Sequence, residues 1–276
     1  MPKTKEGKQR PLNFLHIPKT GGSSIEMAAA MSNVSWGSCL FRQRSYFSPL
    51  VCPPYNPSNN WLRKGGKKIY FNPSSFWHIP IQYLPFNYSE SINFYPNYTN
   101  PYADHDLFVV VRNPYKRAVS EYYFRTTGRA GTVKDTVWAM NAFIQSHLKS
   151  FKESARPTPA NRAPAGYFQK DAHFIPQYDF VYLTTTPTEK PKRIVRHIVH
   201  FEHLNEQFES LMQAYNLKIN LTAAGKVHDR AEHHPKHTVA KLSKMTRLLI
   251  EDVYAKDFEM GGYTMIEKEV KQKQLK

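Results

Sequence analysis

The sequence predicts an α/β fold: a single domain with a mostly parallel central sheet and helices on both of its faces. Two segments carry this prediction, because in each an apolar strand runs directly into a polar loop and then a helix. A third observation is the length, since 276 residues can bury one large core and nothing requires two. We expect one domain over 1–276, with a flexible N-terminus at 1–11 and a flexible basic tail at 267–276.

The first segment, residues 12–31, has the features of a phosphate cradle. A short apolar run stops at Pro18, and an apolar helix is predicted from Ile25 to Met31. Glycines let a backbone approach a ligand closely, and N–H groups at a helix N-terminus point at an anion. A lysine adds a point charge and hydroxyls add donors. The candidate anion-binding residues are Lys19, Thr20, Gly21, Gly22, Ser23 and Ser24.

This loop differs from the common nucleoside triphosphate loop. That loop has the pattern G-x-x-x-x-G-K-[ST], with a hydroxyl for magnesium after the lysine. Here Lys19 precedes the glycines and no G-K-[ST] follows. We therefore expect a phosphate-like anion that is held without a required metal. An ordinary surface turn is the alternative for the loop taken alone.

The second segment, residues 106–123, predicts a separate anion site. The unbroken apolar run from Leu107 to Val111 is typical of a parallel strand covered on both faces. Arg112 leaves the carboxyl end of that strand, where open α/β sheets bind their ligands. Pro114 suits the first turn of a helix, and Ser120 lies on the side of that helix that Arg112 shares. An arginine and a hydroxyl placed in this way suit a second phosphate.

Together the two segments resemble the sulfotransferase superfamily, whose donor is 3′-phosphoadenosine 5′-phosphosulfate (PAPS). In that family a P-loop-like loop with a lysine holds the 5′-phosphosulfate, and an arginine with a serine eight positions later holds the 3′-phosphate. The resemblance implies that residues 19–24, Arg112 and Ser120 bind PAPS, with 3′-phosphoadenosine 5′-phosphate (PAP) as product and no metal. The stretch from His16 to Ser24 is most similar to the carbohydrate sulfotransferases of the heparan sulfate 2-O- and chondroitin types.

Three later segments extend the resemblance, and we expect them to serve packing. Residues 172–181 are similar to a His-x-x-Pro-Gln element ahead of a strand, 199–204 to a Tyr-Glu-Asp-Leu segment, and 250–258 to a closing Tyr-x-x-Asp-Phe signature. The pattern predicts strands near 12–16, 107–112, 179–184 and 194–200. Helices are predicted after Ser23, Pro114, Thr132, Glu202 and Thr238.

The resemblance also implies a catalytic histidine between the two donor segments. Relatives place it in a Gly-His-Phe-like segment, and here the matching histidine is His78, with Trp77 in place of the glycine. A neutral imidazole suits a general base at neutral pH. The alternative is a core histidine that is satisfied by a hydrogen bond. The other candidate bases are His105, His173 and Glu121, the last of which we expect to pair with Arg125.

The remaining irregular segments suggest how substrates are enclosed. Residues 37–105 are rich in Pro, Tyr, Asn and Ser and are expected to form an acceptor-side wall. Residues 154–166 are either a lid or an exposed linker. The resemblance implies that the basic turn at 226–236 folds over the 3′-phosphate, which makes Arg230 and Lys236 candidate contacts. The His233–His234 pair lacks the spacing of a metal site.

Charge and composition set limits on partners and compartment. The net charge of +16 implies an anionic partner, and a nucleotide donor and an acidic glycan both fit. Nucleic acid is not expected, because the chain has no basic arm, zinc spacing or RNA-binding aromatic motif. No apolar run is long enough to span a membrane. We expect a soluble cytoplasmic protein, or a Golgi-lumenal one if an anchor is missing; Cys39 and Cys52 either pair or stay reduced.

The expected function is transfer of a sulfuryl group from PAPS to an acceptor hydroxyl, by resemblance that of a carbohydrate. Displacement is in line, with Lys19 stabilising the departing phosphate and His78 as the base. Sulfation of a small metabolite or of a tyrosine hydroxyl is the alternative within this class. A kinase would need a magnesium carboxylate near the loop, and Asp104 and Asp106 precede the strand instead of ending it. A non-catalytic binder of nucleic acid or another polyanion is the third class.

Overall fold

The computed structural model describes residues 10–34, 36, 61–64, 67–70, 78–81, 102, 104–127, 136–155, 167, 172–183, 190–222 and 237–274. The strands are β1 (Leu12–Phe14), β2 (Trp61–Lys64), β3 (Lys67–Tyr70), β4 (Asp106–Val111), β5 (Tyr182–Leu183), β6 (Lys192–Arg193) and β7 (His197–His200). The helices are α1 (Gly22–Met31), α2 (Pro114–Thr127), α3 (Val137–Glu153), α4 (Tyr178–Val181), α5 (Leu204–Ala214), α6 (Lys244–Val253), α7 (Ala255–Gly261) and α8 (Ile266–Gln274).

Three parallel strands form the central sheet, in the order β1-β4-β7. Phe14 of β1 lies opposite Phe108, and Val111 at the end of β4 lies opposite His200 at the end of β7. Since the carboxyl ends of parallel strands meet at one edge, the loop after β1 and the residue after β4 are brought together there. The predicted α/β fold with a parallel sheet flanked by helices is confirmed.

Strand β4 is buried on both faces, as its unbroken apolar run predicts. Phe108 and Val110 pack on one side, in a cluster that includes Ile25 of α1 and Phe208 of α5. Their neighbours along the strand face the other side, where α2, α3, α6 and α7 contribute to a larger cluster. This alternation follows from the two-residue period of a strand.

The strand predicted at 179–184 is wrong for most of its length. Tyr178–Val181 forms the short helix α4, and only Tyr182 and Leu183 are extended, as β5 paired antiparallel with β6. The cause lies far away in sequence. The buried carboxylate of Asp257 accepts hydrogen bonds from the backbone N–H groups of Gln177 (2.9 Å) and Tyr178 (2.8 Å). These are the N–H groups that the start of a helix leaves unsatisfied, so Asp257 acts as its cap.

Replacing Asp257 by alanine is expected to lower the free energy of unfolding by about 2–4 kcal/mol, because two buried N–H groups lose their acceptor. The change is measured by urea unfolding followed by circular dichroism. Asp252→Ala, which removes an exposed carboxylate of α6, is the matched control and should cost less than about 1 kcal/mol. Equal stability of the two variants would contradict the capping role.

Two helices begin later than predicted, each at a residue that caps it. Helix α3 starts at Val137, where the Thr136 hydroxyl accepts from the Ala139 N–H (3.0 Å). After Thr238 a single 3-10 turn at 239–241 comes first, and α6 follows Ser243, whose hydroxyl accepts from the Thr246 N–H (3.2 Å). The other three predicted helices lie where they are expected: α1 is the helix near Ser23, α2 the one at Pro114 and α5 the one after Glu202. The strand predicted at 194–200 is shorter than expected, because β7 covers only His197–His200.

The C-terminal segment is a helix through Gln274, where the sequence suggests a flexible basic tail from 267. Glu267 explains the difference, because it is buried and pairs with Arg247 at 2.6 Å.

In the 37–105 insertion, β2 and β3 form an antiparallel pair. Most of the proposed acceptor wall lies outside the described residues, and so do residues 156–166 of the segment that is expected to be a lid or a linker. Among the helices that the structure describes, none is both long and apolar enough to cross a bilayer.

Candidate active site

The loop between β1 and α1 has a backbone shape that few residues tolerate. Lys19 has φ 68° and Gly21 has φ 89°, so both are in the left-handed region. A Cβ on Gly21 would lie 2.9 Å from the Phe201 ring, which leaves no room for a larger residue. A non-glycine residue held at positive φ is costly and is found most often at functional sites. The loop residues are therefore constrained by the backbone conformation of the loop. Helix α1 begins within it, at Gly22.

The loop residues predicted to bind an anion divide by burial. Thr20 is fully buried and its hydroxyl donates to the Ile17 carbonyl (2.8 Å), so that hydroxyl holds the loop in shape. Gly22, Ser23 and Ser24 form the first turn of α1. The first N–H groups of a helix have no partner within the helix and point outward from its end, where an anion is favoured.

Arg112 lies next to this loop, although it follows a different strand. Its Nη1 donates to the Lys19 carbonyl (3.3 Å), and its guanidinium packs 4.2 Å from the centre of the Phe201 ring. Burial lowers the pKa of Arg112 to about 10, an effect that the nearby Glu202 opposes, so the group is still a cation at neutral pH. Within the described part of the chain, its buried Nε has no hydrogen-bond partner.

Gln177 fixes the backbone of Arg112. Its Oε1 accepts from the Arg112 N–H (2.8 Å) and its Nε2 donates to the Arg112 carbonyl (2.9 Å). The His-x-x-Pro-Gln element thus does serve packing, and it does so directly beneath a candidate site residue. Because Gln177 is itself hydrogen-bonded to Asp257, these contacts connect the backbone of Arg112 to the start of α4.

Arg117 is a site-building residue that the sequence analysis missed. It is buried on α2 and donates to three carbonyls, those of Pro18 (3.1 Å), His173 (2.9 Å) and Ile175 (3.0 Å). These bonds join the loop after β1 to the segment before α4. A buried arginine costs free energy unless its donors are satisfied, and here they tie two elements together. The only local signal was an arginine one turn after Pro114 on a helix whose inner face is apolar.

Three buried histidines lie in a row beside the loop. The His78 ring is 5.1 Å from that of His16 and 4.9 Å from that of His173, centre to centre. His16 Nδ1 lies 2.5 Å from Glu26 Oε1, and His173 Nδ1 lies 2.5 Å from Glu121 Oε2. The candidate base and one of its sequence alternatives are therefore neighbours. His16, the first residue of the motif at 16–24, is a third member.

The other alternative bases are in different settings. His105 precedes β4 and so lies at the amino end of the sheet, opposite to Arg112. Glu121 pairs with Arg125 at 2.8 Å, as the sequence predicts. Burial raises the pKa of Glu121, but its interactions with His173, Arg125 and Lys19 outweigh burial and hold the pKa at about 2. Glu121 is thus a carboxylate at neutral pH and too weak a base to remove a hydroxyl proton.

Phe124 links the loop to the histidines. The Lys19 ammonium lies 4.1 Å from the centre of its ring, a cation–π contact, and the His173 ring lies 5.3 Å away. Phe124 is 40% exposed, so this part of the site faces solvent. The structure therefore brings together Lys19, Arg112 and His78, which the sequence predicted from three separate segments.

The remaining predicted contacts are only partly covered. Ser120 lies on α2, and Arg230 and Lys236 lie outside the described residues. His237 directly follows Lys236, and its backbone N–H donates to the Tyr123 hydroxyl (2.5 Å), so the chain after the basic turn meets α2 one turn beyond Ser120. Over the described ranges, no group of three or more His, Cys, Asp or Glu is arranged to hold a metal ion.

A model of the Sulfotransferase family matches residues 7–264, a range that includes the loop, Arg112 and all three histidines of the row. No curated protein and no solved structure matches the chain.

Proposed function

The chain belongs to the sulfotransferase family, and we propose that it transfers a sulfuryl group from PAPS to the hydroxyl of a carbohydrate. One observation carries the choice of donor: two anion-binding features of different chemistry lie side by side. The first is the loop with Lys19 at the N-terminus of α1, and the second is the partly buried guanidinium of Arg112, whose buried Nε has no hydrogen-bond partner among the described residues. PAPS has a phosphosulfate at one end and a 3′-phosphate at the other, which matches two sites.

The assignment of the two ends follows from this chemistry. Backbone N–H groups and a mobile ammonium suit the phosphosulfate, where charge changes during the reaction. A fixed arginine suits the 3′-phosphate, which does not react and needs only to be recognised. Ser120, with Arg230 and Lys236 of the basic turn, is proposed to complete the second site. No metal is needed in this scheme.

The reaction proposed is an in-line displacement at sulfur. The acceptor oxygen forms a bond to sulfur while the bond from sulfur to the bridging oxygen breaks, and negative charge builds on the departing phosphate. Lys19 and the N–H groups at the start of α1 stabilise that charge. His78 removes the acceptor's proton, as a neutral histidine does near neutral pH. A carbohydrate acceptor is supported by the similarity of residues 16–24 to carbohydrate sulfotransferases; a small metabolite or a tyrosine hydroxyl is the alternative.

The proposal is tested by calorimetric titration with PAP in the absence of magnesium, with ATP as comparison. PAP is expected to bind at least tenfold more tightly than ATP, because ATP lacks the 3′-phosphate and leaves the charged donors of Arg112 unused. Arg112→Ala should remove most of this preference. Lys218→Ala, which deletes an exposed positive charge of the loop after α5, should not change it.

Equal binding of magnesium-bound ATP and PAP would overturn the assignment of the donor and favour phosphoryl transfer. Binding that falls steeply with salt and ignores Arg112→Ala would instead point to a polyanion binder. Either result would contradict PAPS as the donor, although the chain would still belong to the sulfotransferase family.

A further inference from the structure

The turn after β7 places a carboxylate beside the arginine that is proposed to bind the 3′-phosphate. Strand β7 ends next to β4, and the 3-10 turn Phe201–His203 follows it directly. The Phe201 ring lies 4.2 Å from the Arg112 guanidinium. The next residue is Glu202, whose Oε1 accepts from the N–H of Asn113, the residue after Arg112 (3.1 Å). The turn therefore gives Arg112 an aromatic face on one side and a carboxylate near its own backbone.

The carboxylate of Glu202 is ionised and held in place. Its Oε2 accepts from the Tyr263 hydroxyl (2.9 Å), so each of its two oxygens has a donor. Burial raises the pKa of Glu202, but the hydrogen bonds from the Asn113 N–H and Tyr263, together with the nearby Lys116 ammonium, outweigh burial and hold the pKa below its ordinary value. Glu202 is therefore an anion at neutral pH, fixed at one place beside the site.

This fixed charge acts on Arg112. Burial lowers the pKa of the guanidinium, whereas the charge of Glu202 raises it and so favours the cation. A partly buried cation costs free energy unless an opposite charge lies near it, and Glu202 supplies that charge in the free protein. A phosphate that binds Arg112 comes into the field of the same carboxylate. Like charges repel, so Glu202 opposes the ligand that Arg112 attracts.

We propose that Glu202 is the resident counter-charge of Arg112: it compensates the guanidinium in the empty site and repels the 3′-phosphate in the occupied one. The inference rests on the proposed function, in which Arg112 binds that phosphate. PAPS and PAP both carry the 3′-phosphate, so Glu202 weakens the binding of both. Only PAP must leave after each turnover, and product release limits the rate of many enzymes. Glu202 thus sets the affinity of the donor site at a level that lets PAP leave.

The test is Glu202→Gln, which removes the charge and keeps the shape. The amide oxygen can still accept from the Asn113 N–H, and the amide nitrogen can donate to the Tyr263 oxygen, because a hydroxyl is also an acceptor. Calorimetry compares PAP with adenosine 5′-phosphate (AMP), which lacks only the 3′-phosphate. We expect PAP to bind roughly three- to tenfold more tightly than it binds the unaltered protein, and AMP to stay within about twofold.

Two control variants separate charge from shape. Glu202→Asp keeps the negative charge but shortens the side chain, so it should not tighten the binding of PAP. Glu206→Gln removes an exposed carboxylate on the first turn of α5 and should leave the preference for PAP over AMP unchanged. Damage to the fold would weaken both nucleotides. Unchanged or weaker binding of PAP by Glu202→Gln, or equal tightening of PAP and AMP, would overturn the proposal.

A second measurement needs no nucleotide. Urea unfolding of Glu202→Gln, Arg112→Ala and the double variant forms a cycle that isolates the interaction between the two side chains. Glu202→Gln should lower the urea midpoint when Arg112 is present, because the partly buried cation loses its counter-charge. The same change should have little effect when Arg112 is already alanine. An equal shift in both backgrounds would contradict the role of counter-charge.

Failure of this inference differs from failure of the proposed function. If the unaltered protein binds PAP no better than AMP, the donor assignment is lost, while the unfolding cycle still decides whether Glu202 compensates Arg112. If PAP is preferred but Glu202→Gln does not tighten its binding, the donor assignment stands and the role of Glu202 is wrong.

Discussion

Lys19→Ala is expected to lower kcat about a thousandfold, the size of effect seen when a preorganised donor to a developing charge is removed. The ammonium is the one mobile charge on the loop that is proposed to hold the phosphosulfate. In the free protein it rests 4.1 Å from the centre of the Phe124 ring, so it is already desolvated on one side and close to the site. A donor that is stronger in the transition state than in the ground state affects kcat more than binding.

Steady-state kinetics with PAPS, combined with calorimetry of PAP, separate these two effects. We expect affinity for PAP to fall about tenfold, the value of one charge-assisted contact, and kcat to fall much further. Alanine keeps the Cβ of lysine and leaves the backbone strain at φ 68° unchanged. Lys244→Ala, an exposed change on α6, is the control for net charge. A Lys19→Ala enzyme within tenfold of normal kcat would contradict the role of the ammonium.

The parts of the site that the sequence predicts are those with a local cause. Glycine at positive φ, a lysine in a turn and an arginine at the end of a buried strand can each be recognised within a few residues. The parallel sheet then brings them together, because all its strands end at one edge. Lys19 and Arg112 are 93 positions apart, yet their contact needs only the predicted topology.

The parts that the sequence analysis missed depend on partners that no local pattern reveals. Arg117 reads as an ordinary helix residue until its carbonyl partners, 56 to 99 positions away, are known. The strand expected at 179–184 has a suitable apolar pattern, but Asp257 supplies a helix cap from 79 and 80 positions away. Tertiary hydrogen bonds outweigh local preference in both cases, as they do wherever propensity is weak.

His78→Ala is expected to leave PAP affinity within about twofold and to lower kcat a hundredfold or more, the usual contribution of a general base. The two effects separate because His78 lies in the row with His16 and His173, while the predicted phosphate contacts come from the loop and Arg112. The measurement is the pair of kcat with saturating acceptor and calorimetry with PAP.

The choice of controls decides what this loss means. A buried histidine also fills space, so its removal leaves a cavity that weakens the fold by itself. His197→Ala is the matched change, since His197 is partly buried at the amino end of β7 and its ring is hydrogen-bonded to the Tyr215 hydroxyl. The variants should lose similar stability, but only His78→Ala should lose turnover. If His173→Ala abolishes turnover while His78→Ala does not, His173 is the base that takes the proton. His78, whose ring centre lies 4.9 Å from that of His173, then serves only to position it.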